Sequence, residues 1–375
     1  MNGWINVLGC GESIRYENYK GGGNIILKKI LRRIPYNQKI MIKILLNKVR
    51  FAYLQGKNKP GKSLKPFNKV DLFLTLSTVC NYNCVFCNRD VKKEIVHLKE
   101  IFRFEELIQH ARMVDITGYG EITIHPDFPE LLKKFSSLKV PIRFVTNGSR
   151  LNEKLSDLIL QSEIEEIVFS INSLSSEIYK KMHGNTANLE ATLNNLEYLL
   201  LRKPKFPVLL SFVMTAWNFK EIPDIINYAK KHERQIASIT LMGLTPTLKQ
   251  MYPQDIIIED TKENRDYLGR MRALVNKNHV NVNIFHLENQ QTGNSSIAPD
   301  RLKRMIQSCD WVYKKFFIEP DGAAKPCCWW GTNLELGNIK TSSFNEIWNG
   351  KNYNDLRQAI LKGSTKYCSN CRREN

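Results

Sequence analysis

The sequence predicts an α/β fold, a parallel sheet of repeated strand–helix units that curls into a partial or full barrel, followed by a small Cys-bearing domain. Two observations carry this expectation. Short apolar runs alternate with helical stretches from Asp71 onward, and repeated units of that kind imply a parallel sheet. The chemically distinctive residues follow the ends of those runs, where ligand sites of such sheets lie.

The first 70 residues precede this pattern. They hold 15 Lys/Arg against only Glu12 and Glu17, so most of the formal net charge of +18 sits there. Residues 25–34 and 38–51 read as basic amphipathic helices separated at Pro35. They suit peripheral contact with an anionic membrane surface through residues 25–53, and packing of their apolar faces on the main domain explains them equally well. Gln55–Ser63 is a polar linker,. The core is expected over 71–242, with strands at Leu72–Leu76, Met113–Thr117, Ile142–Thr146, Ile167–Ile171, Val208–Met214 and Ile236–Leu241. Helices are expected at Pro129–Ser137, Glu153–Ser162, Leu189–Leu201 and Ile222–His232. A more polar connecting region spans 243–305, and the Cys-bearing tail 306–375.

Nine Cys with no recognisable secretory leader and no bilayer-length apolar run point to a cytoplasmic chain whose thiols serve as ligands or catalytic groups,. No Walker A or dinucleotide glycine motif is present, and no specific nucleic-acid partner is predicted,.

The first strand runs into Cys80-Asn-Tyr-Asn-Cys84-Val-Phe-Cys87. Three thiolates on a short loop can hold three irons of a four-iron cluster and leave one iron open to a small molecule. Closed iron–sulfur and zinc sites take four protein ligands, and the spacing alone leaves part of a zinc site as an alternative. Further strand-end segments follow in order: Thr117-Gly118-Tyr119-Gly120-Glu121, Thr146-Asn147-Gly148 and Ser170-Ile171-Asn172.

With these segments the chain resembles the radical S-adenosylmethionine (SAM) enzymes, whose signature is C-x3-C-x2-C with an aromatic, here Phe86, before the last Cys. The resemblance implies a partial (β/α)6, TIM-like barrel over about 71–242 and a cluster on Cys80, Cys84 and Cys87. It further implies SAM contacts from Phe86, Gly118, Gly120, Glu121, Thr146, Asn147, Ser170 and Asn172, with Glu121 accepting a hydrogen bond from the SAM ammonium. The family's usual proline after the glutamate is Ile122 here. In that family, cleavage of SAM yields a 5′-deoxyadenosyl radical that abstracts a substrate hydrogen atom.

The tail spells C-x12-G-x4-C through Cys309, Gly322 and Cys327, then Cys368-Ser-Asn-Cys371. Four such Cys can ligate a cluster or a zinc ion. The intervening Phe317-Ile-Glu-Pro-Asp-Gly322, Leu336-Gly-Asn-Ile339 and Phe344-Asn-Glu-Ile-Trp348 resemble a SPASM or twitch domain, which implies one auxiliary four-iron cluster on Cys309, Cys327, Cys368 and Cys371. Cys10 and Cys328 remain. Cys328 is a candidate hydrogen-atom donor, with an inert thiol as the plainer reading. Asp310 and Glu319 near the auxiliary site are candidate bases, with ordinary surface carboxylates as the plainer reading, and His183 is expected in a connecting turn.

The resulting expectation is an enzyme using SAM and two four-iron clusters to oxidise or epimerise a sugar, cyclitol or other small metabolite, with electrons from a flavodoxin or ferredoxin. Maturation of a ribosomal peptide is the alternative. A non-catalytic, metal-stabilised nucleic-acid or membrane-binding protein is the alternative of a different class.

Overall fold

The computed structural model describes residues 69–87, 92–101, 103–233, 235–244, 252–277, 282–285, 299–327 and 336–368. The basic segments at 25–53, together with Cys10, Cys328 and Cys371, lie outside the described residues.

Nine strands form one sheet: β1 Val70–Leu74, β2 Ala111–Asp115, β3 Ile142–Thr146, β4 Ile164–Ser170, β5 Val208–Met214, β6 Ile236–Gly243, β7 Val282–Phe285, β8 Lys315–Ile318 and β9 Ala324–Lys325. Their order is β7-β6-β5-β4-β3-β2-β1-β8-β9, and every pairing is parallel except β8 with β9. The carboxyl ends of β1 to β8 therefore share one rim. This is the partial barrel that the alternating pattern predicts, continued by a small C-terminal domain.

Side chains alternate across each strand. Leu72, Val114, Phe144, Phe169 and Leu210 join the core cluster that includes Phe128, Leu132 and Leu196 from the covering helices. Among the intervening positions are the charged Asp115, Arg143 and Glu166. Arg143, nearly inaccessible to solvent, bonds Asp115 at 2.7 Å and Glu166 at 2.5 Å. The two carboxylates hold its guanidinium firmly charged despite burial. This network ties β2, β3 and β4 together. Asp115 also accepts from Thr117 N at 2.9 Å, which anchors the start of the glycine segment at the rim.

Two placements depart from the sequence reading. His183 is not in a turn but closes a helix, Ser176–His183, capped by Ser175 at its start and by Gly184 (φ 92°) at its end. The hydroxyl of Ser175 accepts from Ile178 N, and the glycine takes a backbone conformation that an L side chain resists,. The tail, for its part, does not stand apart from the core. Its first strand, β8, pairs with β1 along Asp71–Leu74. The connecting region likewise supplies β7 and the helix Lys262–Lys277. Among the described residues no helix is long and apolar enough to cross a membrane.

Candidate active site

β1 leads directly into the thiol loop. Asn83 N donates to His183 O and Val85 N to Met182 O, both at 2.9 Å, so the loop pairs with the end of the Ser176–His183 helix. Tyr82 is buried against Tyr179, and Cys80 and Cys84 pack on the same small cluster. Cys80 and Cys84 are half-buried and Cys87 is exposed. The Phe86 ring meets His183 edge-on, with centroids 5.6 Å apart.

The glycine segment closes over the start of this loop. A Cβ on Gly120 would lie 2.5 Å from Val79 O and 2.6 Å from Ser77 O, so only glycine permits the approach,. Glu121 N then donates to Val79 O at 2.9 Å. The Glu121 carboxylate is buried and accepts four bonds: from Thr123 N (3.1 Å), Thr123 Oγ1 (2.6 Å), Thr146 Oγ1 (2.8 Å) and Asn147 N (2.6 Å). Burial pushes its pKa up, and these four donors pull it back. Asn147 carries the chain of contacts onward, donating through Nδ2 to Asn81 Oδ1 at 3.0 Å, between Cys80 and Cys84. Thr146 Oγ1 accepts from Gly148 N at 2.9 Å. Glu121 thus joins the ends of β2 and β3 to the thiol loop.

Ser170, half-buried at the end of β4, accepts from Asn172 Nδ2 at 3.1 Å. Asn172 is fully buried; its amide also contacts His183 Nε2 at 3.3 Å, and its Oδ1 accepts from Val213 N at 2.6 Å. It too braces the site from behind. Gly118, Gly120, Ser170 and Phe86 are the expected SAM contacts that retain exposed surface.

Cys309 and Cys327 meet a cluster separate from the main core. Phe73 of β1 and Phe317 of β8 stack at 4.2 Å, Trp311 packs beside them, and Cys309 and Cys327 contact this cluster. Lys315, wholly buried, lies 3.9 Å from the Trp311 ring centroid. Glu319 continues the alternation Lys315, Phe317, Glu319 at the rim, and burial raises its pKa although Lys325 opposes the shift. The Asp321-Gly322 turn (φ 86° at the glycine) and the Leu336-Gly337 segment fasten together through Ile339 N to Gly322 O and Ala324 N to Gly337 O. Arg357, buried behind Trp348 and Tyr353, donates to Val312 O and Trp348 O; burial lowers its pKa to about 10. Cys368 packs against the main core. Among the described residues no three His, Cys, Asp or Glu side chains converge on a single-ion position. A cluster places each thiolate at its own corner and does not require that convergence.

Two family models match this chain: the radical SAM superfamily over residues 74–229 and the SPASM iron–sulfur cluster-binding domain over residues 309–372. The chain belongs to the radical SAM superfamily and carries a C-terminal SPASM domain. The two matched segments take in the Cys80–Cys87 loop and the tail cysteines from Cys309 to Cys371. The core is similar to a probable GTP 3′,8-cyclase of Thermococcus kodakarensis, 33% identical over 168 residues. That match covers 43% of this chain and 53% of the relative, so it spans about half the length of that protein. AlbA, the antilisterial bacteriocin subtilosin biosynthesis protein of Bacillus subtilis, is 22% identical over 77% of this chain and 61% of its own. Streptococcus suis SuiB bound to its precursor peptide SuiA shares the fold, with a TM-score of 0.58 at 17% identity over 85% of this chain and 74% of that one.

The sequence reading gave His183 a connecting turn and no part in this radical SAM core. A lone His gives no spacing signal, and its importance comes from contacts made across the chain. Cys84 Sγ lies 3.0 Å from its Nδ1.

Proposed function

We propose that Cys80, Cys84 and Cys87 hold a four-iron cluster that binds SAM, and that Cys309, Cys327, Cys368 and Cys371 hold a second. The donor set fits: three thiols on one loop leave an iron position for SAM, and the tail brings four more,. Bound there, SAM and the first cluster supply hydrogen-atom abstraction, and the second cluster an electron acceptor. The single observation behind pairing them is the Phe73–Phe317–Trp311 wall, which touches Cys309 and Cys327 and belongs in part to the strand that feeds Cys80.

In this reading the protein's own work is placement and proton transfer. Gly118 and Gly120 bring the backbone of the rim close to SAM, and Ser170, Phe86 and Asn147 line it. Glu121, Thr146 and Asn172 hold those groups in place. Glu319 takes the proton of a substrate hydroxyl as the adjacent carbon is oxidised, a task that a raised pKa favours at neutral pH,. The substrate is a small hydroxylated metabolite, and electrons enter from a flavodoxin- or ferredoxin-type donor. The similarity of the core to a nucleotide cyclase supports a small substrate. A second reading, modification of a ribosomal peptide, has the longer AlbA match and the peptide-bound SuiB fold in its favour.

Anaerobic reconstitution tests the assignment. About eight irons per chain are expected from two four-iron clusters, with SAM-dependent release of 5′-deoxyadenosine. Zinc in place of iron, and no SAM cleavage on reduction, would sink it. Deuterium carried from labelled sugars or cyclitols, or instead from a labelled peptide, into 5′-deoxyadenosine decides between the substrates.

A further inference from the structure

Behind the thiol loop a chain of hydrogen bonds leads from a backbone amide of β5 to one cysteine sulfur. Its directions follow from its first member. Val213 N can only donate, and it points at Asn172 Oδ1 at 2.6 Å. That fixes the amide orientation of Asn172, so its nitrogen faces Ser170 Oγ (3.1 Å) and His183 Nε2 (3.3 Å),. An NH2 group beside Nε2 makes that ring nitrogen the acceptor. The imidazole proton then resides on Nδ1, 3.0 Å from Cys84 Sγ,.

We propose that His183 is a positioning residue that donates Nδ1–H to the Cys84 thiolate, with its tautomer set by Asn172, and that this bond raises the reduction potential of the cluster bound by Cys84. The inference rests on the assignment of that cluster above. A hydrogen bond to a ligating sulfur stabilises the more negative, reduced state, and bonds of this kind tune cluster potentials. The ring is well held for the purpose. Tyr179 lies against it with centroids 4.3 Å apart, and Tyr82 and Phe86 flank it at 5.6 Å each. The same helix end pairs with the thiol loop through the His183 and Met182 carbonyls, so donor and acceptor move as one unit.

The test is an EPR-monitored redox titration of the reconstituted full chain, following the signal that changes when SAM is added. His183→Phe keeps a ring without a donor. Asn172→Asp keeps the side-chain shape but accepts from Nε2–H, which turns a lone pair of Nδ1 toward the sulfur. Each is expected to make reduction about tenfold less favourable, a shift of about 59 mV to more negative potential for one electron. His183→Asn can bring an amide N–H to the place of Nδ1 and is expected to recover part of the shift. Wild-type midpoints in both His183→Phe and Asn172→Asp would overturn the proposal. If His183→Phe takes up no iron, Asn172→Asp and His183→Asn carry the same comparison, and failed iron uptake in all three would overturn tuning in favour of a purely structural role. A wild-type chain with no SAM-responsive signal would instead remove the Cys84 cluster itself, and this inference with it.

Discussion

Gly120 is the point at which the rim of the barrel and the thiol loop touch most closely, and Gly120→Ala probes that contact. The added methyl would lie 2.5 Å from Val79 O and 2.6 Å from Ser77 O, whereas ordinary contact begins near 3.4 Å. Both obstacles are backbone atoms and cannot swing aside, so the segments must separate by about 0.8–0.9 Å (3.4 less 2.6, and 3.4 less 2.5) to restore contact distance. That movement strains or breaks the 2.9 Å bond from Glu121 N to Val79 O. Overpacking costs about 1–3 kcal/mol, and the lost backbone bond about 1 kcal/mol. The expected destabilisation is therefore about 2–4 kcal/mol. Gly118→Ala is the control. Its methyl would meet the Thr75 methyl at 3.1 Å, a lesser overlap with a side-chain atom. Urea unfolding of both variants under anaerobic reductant, with iron content after reconstitution, reads the difference. Because Val79 adjoins Cys80, Gly120→Ala is also expected to bind less iron. If Gly120→Ala matches Gly118→Ala in both stability and iron, the close approach does not govern the loop.

Three further outcomes follow from other parts of the structure. Arg143→Met leaves Asp115 and Glu166 buried without their cation and is expected to destabilise by about 3–5 kcal/mol, measured by urea unfolding. Glu319→Gln is expected to lower turnover and flatten its pH profile. In the wild type, the carboxylate must be ionised to accept a proton, so activity falls as pH drops through its raised pKa, above the usual carboxylate range; an unchanged profile in the variant removes Glu319 as the base. Gly269→Ala, on the exposed face of the Lys262–Lys277 helix with open space around its Cα, is expected to stabilise by about 0.5–1 kcal/mol in the same unfolding assay,.

Much of the core was legible in the sequence because its signals are local. β3 and β5 and the helix Leu189–Leu201 fall at the predicted bounds, since strand and helix periods repeat within a few residues,. β1 and β2 begin two residues earlier than the apolar runs suggest. Val70 and Ala111 pair with each other in the ladder, while beyond Leu74 and Asp115 the chain turns away to build the rim,. The Cys spacings and the glycine segment likewise point to their chemistry without any fold, because the ligands of each loop are neighbours in sequence.

The roles of individual polar residues were less legible. Glu121 and Asn172 each look like ligand contacts because they follow apolar strands, but the number of protein donors and acceptors around them appears only when β2 to β5 lie side by side. His183 carries no motif at all. Its place against Cys84 depends on the Ser176–His183 helix returning to the thiol loop.

The sequence by itself determined the family and the α/β alternation, because each is written in residues close along the chain. Only the tertiary structure decided that the tail's first strand joins the barrel beside β1, setting Phe317 on Phe73 and bringing Cys309 and Cys327 to that cluster. It also decided the hydrogen-bond partners of Glu121 and Asn172. Parallel pairing between distant segments has no local code, so these facts arise only when the sheet closes.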